Sequence, residues 1–161
     1  MTASGRSHEV LLRIVRDIAD YQFGKGVGEK LFPNGCRVEV SKRTRRPRYV
    51  YLGDELIATV RYPDNLIALT LKGAERLRKA LGERAARIVI RSEQVKKIMN
   101  GMNPTAKDLV VCSEKIRPGD EVLVESENGR LLAVGRAVVS TQTIRDIRHG
   151  VILKVRKAWK T

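Results

Sequence analysis

From Ser41 to Arg48 the chain reads Ser-Lys-Arg-Thr-Arg-Arg-Pro-Arg, five cations in eight residues with no acid among them. Lys42, Arg43, Arg45, Arg46 and Arg48 suit one chemistry above others. A guanidinium is planar, always charged and able to grip a phosphate with two parallel hydrogen bonds. On a strand–turn–strand ribbon these side chains would splay to both sides of the turn and straddle a phosphate backbone. The competing reading is a solvated hairpin edge. A second cluster, Lys154, Arg156, Lys157 and Lys160, lies near the end of the chain. Strand alternation would put Lys154 and Arg156 on one face, with Leu153 and Val155 inward. Trp159 beside them is either an aromatic surface for a base or ribose, or a plug over the core.

No other set of residues has the spacing that catalysis or metal binding needs. His8, His149, Cys36 and Cys112 show no Cys-x-x-Cys or His-x3-His pattern, so no zinc site is expected. His149 precedes Gly150, as turn residues do, and no Ser or Cys stands as its evident partner. Asp54-Glu55 and Asp120-Glu121 fall at turns and strand starts, where solvation explains paired acids. The run Gly24-Lys25-Gly26-Val27-Gly28 does not follow a strand and lacks the Gly-Lys-Ser/Thr ending of a phosphate-binding loop. Its glycines read as turn residues. The expectation is a chain with no catalytic residues and no cofactor.

The overall charge points the same way as the clusters. Lys and Arg number 32 against 18 Asp and Glu, a net +14. Residues 1–80 hold 16 basic and 9 acidic residues, and residues 81–161 hold the same. The charge is therefore shared along the chain, not confined to a tail. Such a protein attracts polyanions, and the release of their counterions drives binding. A thermophile's charged surface is the alternative, but those surfaces usually balance their signs. Apolar residues at 42% exclude disorder throughout. Met1 to Ser7 is polar and does not read as a signal peptide. No apolar run approaches the ~20 residues that span a membrane, so a cytoplasmic protein without membrane partners is expected. Cys36 and Cys112 each lie in an apolar run, as buried free thiols do.

The elements that must position these groups are legible from periodicity. Val10, Leu11, Ile14, Val15 and Ile18 mark an amphipathic helix over residues 8–20. From residue 36 to 71 the period changes to two. Strands are expected around Val38–Val40, Tyr49–Leu52, Leu56–Val60 and Leu66–Leu71, an antiparallel meander. Residues 73–81 read as a helix. After a boundary at residues 82–86, a strand Arg87–Ile90 leads to a short helix through Met99, capped by Ser92 and ended by Asn100-Gly101. Strands Leu109–Cys112, Glu121–Glu125, Leu131–Val139 and Val151–Arg156 follow, with a helical turn over Thr141–Arg148. The expected class is α+β: an N-terminal antiparallel sheet with flanking helices over residues 8–82, then a small closed barrel over residues 87–157.

Several segments of the second half carry a family pattern: RIVI (87–90), the helix ending at Asn100-Gly101, IRPGDEVLV (116–124), LLAVGRAVVS (131–140) and HGVILKVR (149–156). In them the chain resembles a PUA domain, an RNA-binding pseudobarrel found at the ends of tRNA- and rRNA-modifying enzymes. The first half carries DYQFGKGVGEKLFP (20–33), SKRTRRPR (41–48) and DELIATVRYPDNLIALTLKGAERL (54–77). There it resembles the domain preceding PUA in archaeal tRNA-guanine transglycosylase and archaeosine synthase. The resemblance implies the tRNA-holding, C-terminal portion of such an enzyme, without the catalytic barrel, which would need roughly 250 more residues. It also implies that RNA lies against the loop after the first PUA helix and the closing strand, nominating Gly101, Asn103, Lys107, Arg136 and Arg156. Gly101 would let the backbone approach RNA, a role compatible with capping its helix. Arg45 stands where the family pattern often has glycine.

The expected partner is tRNA or another structured RNA, held near the acceptor end, together with a separate catalytic tRNA-modification chain. A ribosome-assembly or translation factor that binds rRNA is the alternative. A small RNA-modifying enzyme is disfavoured by the lack of an acid/base set.

Overall fold

A computed structural model describes residues 2–160, with side chains from residue 7. Met1, on which the reading of the N-terminal segment partly rests, lies outside the described residues. The chain divides into two compact units, the first ending at Leu81 and the second beginning at Gly82. Together they show the expected class, an antiparallel sheet with helices followed by a pseudobarrel.

In the first unit, helix α1 (Thr2–Phe23) and the short helix α2 (Val27–Leu31) precede four strands and a closing helix. The strands are β1 (Cys36–Val40), β2 (Pro47–Leu52), β3 (Glu55–Val60) and β4 (Ile67–Leu69), and the helix is α3 (Leu71–Leu81). The sheet is the expected meander, in order β1-β2-β3-β4, with every pair antiparallel. Helix α1 runs longer than its periodicity suggested, and its buried stripe is Leu12, Val15 and Ala19. Val10 and Ile14 are exposed. A 3.6-residue repeat cannot bury Val10 and Ile14 together with Leu12, Val15 and Ala19 on one narrow stripe.

The glycine-rich run behaves in two ways. Gly24 and Gly26 have positive φ and make the turn that was expected. Val27 to Leu31 instead form α2, which sequence reading missed because five residues are too short to show a helical period. Gly28 sits inside α2, where a Cβ would come within 2.3 Å of the Arg16 carbonyl oxygen. Its N–H donates to Asp20 Oδ1 at 2.6 Å, which ties α2 to α1. Arginines complete the tie. Arg16 Nε donates to the Phe32 carbonyl, and Arg76 donates to the carbonyls of Lys30 and Leu31.

The second unit contains β5 (Arg87–Ile90), α4 (Val95–Met99), β6 (Leu109–Cys112), β7 (Glu121–Ser126), β8 (Leu131–Ala137), α5 (Thr141–Asp146) and β9 (Leu153–Ala158). The strand order is β6-β5-β7-β8-β9, parallel between β5 and β7 and antiparallel elsewhere. The sheet curls on itself. Thr105 bridges Val151, and the Ile152 N–H donates to the Pro104 carbonyl, so the segment before β6 meets the segment before β9. Inside lie Ile88, Ile90, Ile98, Val122, Val124, Leu132, Ile152 and Leu153. Ser92 does not cap the helix. A 3-10 turn, Ser92–Gln94, comes first, and the Ser92 N–H and hydroxyl both donate to Glu127. Cys36 is buried and Cys112 half-buried, both as free thiols. Among the described residues no helix is long and apolar enough to cross a membrane.

Gly28→Ala should lower the unfolding free energy by about 1–3 kcal/mol, the usual cost of forcing a methyl into a closed contact. Urea denaturation of the two proteins measures it.

Candidate nucleic-acid interface

The β1–β2 connection reverses over a short loop. The Ser41 N–H donates to the Arg46 carbonyl, and the Arg45 N–H donates back to the Ser41 carbonyl, both at 2.8 Å. This geometry puts Arg45 at φ +60°, where most residues with a Cβ are strained. Lys42, Arg43, Arg45, Arg46 and Arg48 are all exposed. The structure thus brings the five cations together at one tip. Arg48 leans on Tyr49, its guanidinium 5.3 Å from the ring centre.

The β3–β4 loop repeats the same backbone pattern. The Arg61 N–H donates to the Leu66 carbonyl, the Asn65 N–H donates to the Arg61 carbonyl, and Asn65 has φ +59°. Alternate turns of a meander lie at the same end of the sheet, so Arg61 and Tyr62 stand beside the arginines of the first loop, around a shared pocket. Sequence reading missed these two residues. The signal was available, since an up-and-down strand order dictates which turns are neighbours.

In the second unit, α4 ends in a Schellman motif. The Gly101 N–H donates to the Ile98 carbonyl and the Met102 N–H to that of Lys97, with Gly101 at φ +84°. A Cβ on Gly101 would meet nothing within 4 Å, so it is the backbone conformation that requires glycine there. The loop that follows is fixed at two points. Asn103 Oδ1 accepts from the Val155 N–H at 2.9 Å. Asp108, 4% exposed, accepts from Lys97 Nζ at 2.6 Å and from the Thr105 N–H and hydroxyl. Burial acts to raise the Asp108 carboxyl's pKa, but the Lys97 ammonium and the Thr105 donors outweigh it and hold the group below its ordinary value. Lys107 projects, exposed, from this anchored loop.

Gly101, Arg156, Lys157 and Lys160 line one open groove. Arg136 and Lys154, both exposed, face each other across β8 and β9. The alternation expected for β9 holds through Arg156, with Leu153 and Val155 on the core and Arg156 bonded to Glu121 on the face of Lys154, and breaks after it. A bulge pairs Val134 with Lys157 and Gly135 with Val155, leaving Arg156 as the extra residue. One added residue reverses the parity of everything after it. Lys154 and Lys157 are therefore the exposed cations, while Arg156 turns to Glu121. Arg156 Nη1 donates to Glu121 Oε1 at 2.6 Å, and Nη2 to Oε2, a two-pronged pair on a fully buried carboxylate. Trp159 packs against the barrel core.

The other groups weighed for chemistry are occupied or inert. His8 Nε2 accepts from the Val38 N–H, and His149 is exposed. Burial pushes both cysteine thiols up in pKa, away from the reactive thiolate. Among the described residues there is no group of three or more His, Cys, Asp or Glu that could hold a metal.

A curled five-stranded sheet, a glycine-ended helix and a closing strand beside that glycine define a PUA-type domain, and the PUA family model matches residues 86–158. Residues 13–83 match the patch-forming domain C2 of tRNA-guanine transglycosylase. The two models together span most of the chain, the C2 domain first and the PUA domain second. It is 41% identical over 143 residues to tRNA-guanine(15) transglycosylase of Methanothermobacter thermautotrophicus, covering 89% of this chain and 22% of that protein. It therefore spans less than a quarter of that relative's length. Among solved structures, a hypothetical protein of Pyrococcus horikoshii superimposes with a TM-score of 0.73 at 23% identity, covering 94% of this chain and 91% of that one. A conserved PUA domain protein of Thermoplasma acidophilum gives 0.62 at 18% identity, covering 91% and 86%. Both likenesses concern the fold.

Two outcomes follow from the buried pairs. Arg156→Ala should destabilise the protein by up to about 3–5 kcal/mol, because it removes the two-pronged partner of the buried Glu121 carboxylate. Thermal and urea melts read this, and they make Lys154 and Lys157 the cleaner probes of binding. Asp108→Asn should cost about 1–3 kcal/mol at neutral pH. Since the folded carboxyl titrates below its unfolded value of about 3.9, its contribution is full above that value and disappears as pH falls through the lower folded one. Unfolding curves between neutral and strongly acid pH should lose part of their acid dependence in Asp108→Asn.

Proposed function

We propose that this chain is a non-catalytic RNA-binding module that holds tRNA, in the region of the acceptor end, for a separate tRNA-modifying enzyme. The observation that carries the reading is the tip of the β1–β2 hairpin, where five exposed cations stand with no acid in the loop. A tip of this kind fits between phosphates, and arginine forks supply directed bonds to them. The second unit adds a binding face: Gly101, Lys157 and Arg156 on the groove, Lys107 and Asn103 on the anchored loop, and Arg136 with Lys154 on the adjoining strands. The likeness to a portion of tRNA-guanine(15) transglycosylase supports tRNA as the RNA.

Filter binding or fluorescence anisotropy with tRNA tests the reading. If roughly six phosphates are neutralised, affinity should fall with a log–log salt slope near −4 to −5. A slope near zero would remove the electrostatic basis. Replacing Arg43, Arg45 and Arg46 together by Ala should weaken tRNA binding with little loss of stability, since exposed substitutions change it by less than about half a kcal/mol each. Unchanged binding with an intact melting curve would assign the tip to solvation alone.

A further inference from the structure

The pocket between the β1–β2 and β3–β4 loops has a feature that the exposed arginines do not explain. Arg61 is mostly buried, its side chain 17% exposed. Its Nε and Nη2 are shut off from solvent, and among the described residues neither finds a hydrogen-bond acceptor. Asp64 Oδ2 lies 3.0 Å from Nη2, close enough for charge attraction but not in hydrogen-bonding geometry. A buried donor left unsatisfied costs free energy, and a buried charge more so. The part of the side chain that remains open lies on the pocket wall, so an acceptor entering the pocket can draw the guanidinium onto itself.

The surroundings specify the acceptor. Arg43, Arg46 and Arg48 line the same pocket, so four arginines stand on its wall and, among the described residues, no acidic one. An oxyanion with several acceptor atoms satisfies such a set, and phosphate matches the guanidinium fork. Tyr62, also on the pocket wall, is 75% exposed, an aromatic ring held in water with no core to cover. A phosphate grip beside an exposed aromatic ring is what an unpaired nucleotide needs, because every base has a face that stacks.

We propose that this pocket binds one unpaired nucleotide of an RNA strand, with its phosphate on Arg61 and the neighbouring arginines and its base stacked on Tyr62. The inference rests on the RNA-binding reading above and gives it a second, more selective contact. The first hairpin's outer cations meet phosphates of any sequence or structure. This pocket admits only a nucleotide free of its partner strand, so it biases the protein toward loops, bulges and single-stranded ends.

The test uses the full chain with three probes: adenosine 5′-monophosphate, adenosine and inorganic phosphate, each titrated to millimolar concentration and followed by amide shifts in NMR spectra. The monophosphate should move the amides of residues 41–48 and 61–66 and bind at least several-fold tighter than either fragment. Arg61→Gln should weaken monophosphate and phosphate alike, by roughly tenfold. Tyr62→Ala, which removes an exposed side chain and leaves the fold intact, should weaken the monophosphate by roughly tenfold and leave phosphate unchanged. Each variant should also weaken tRNA.

Three results overturn the proposal: no shifts in these loops, a Tyr62→Ala protein with an unchanged preference for monophosphate over phosphate, or tRNA affinity indifferent to both variants. The last leaves RNA binding by the chain standing and assigns the pocket to a free nucleotide. Failure of the wild-type chain to bind tRNA at all, with the monophosphate still held in the loops, is instead the failure of the broader reading.

Discussion

A chain with fourteen excess positive charges must fold against its own repulsion, and the way it does so governs the rest of the structure. Part of its basic residues are consumed internally. In the first unit the acceptors are backbone carbonyls: Arg16 on Phe32, and Arg76 on Lys30 and Leu31. These bonds satisfy oxygens that helix and strand ladders leave open. In the second unit the acceptors are buried carboxylates. Glu121 takes Arg156, Glu125 takes Arg87, and Asp108 takes Lys97. Of the cations left outside, the densest group stands at the β1–β2 hairpin tip, and others, such as Arg37, Lys72 and Arg145, pair with surface acids.

This division explains which parts of the molecule the sequence displays. The first three strands of the meander and the strands Arg87–Ile90 and Leu109–Cys112 stand close to where apolar runs and turn residues put them, while the fourth, expected over Leu66–Leu71, is only Ile67–Leu69 because Leu71 opens α3. The hairpin cations were legible because nothing apolar competes with them for the tip. The pseudobarrel was legible through the family pattern, which already holds its connections. Helix α2 was not legible, being shorter than a reliable period. Ser92 looked like a cap because its type favours that role, but a carboxylate 35 residues away took its donors.

Arg156 shows the deeper limit. Its place in a basic run suggested an exposed contact, and it does line the groove, yet its guanidinium also grips Glu121, an acid that only the neighbouring strands bring within reach. Arg61 shows the converse. It stands alone in its segment, without the density of charge that draws attention, and becomes significant only because two turns of one sheet share an end. Both residues illustrate that a cation's role is set by the acceptors that tertiary structure brings within reach.

Helix α1 has a consequence beyond packing. Near its start, His8 accepts from the N–H of Val38 on β1, and near its end the amide of Gln22 both donates to and accepts from the backbone of Ile67 on β4. β1 and β4 are the two borders of the four-stranded sheet. The helix therefore clips both borders, and the Gln22 amide acts as a peptide unit borrowed from a fifth strand that does not exist. Open borders are where sheets from separate molecules add to one another and grow into aggregates. With a side chain of α1 engaged on each border, both edges of this sheet carry a partner that a strand from another molecule would have to displace.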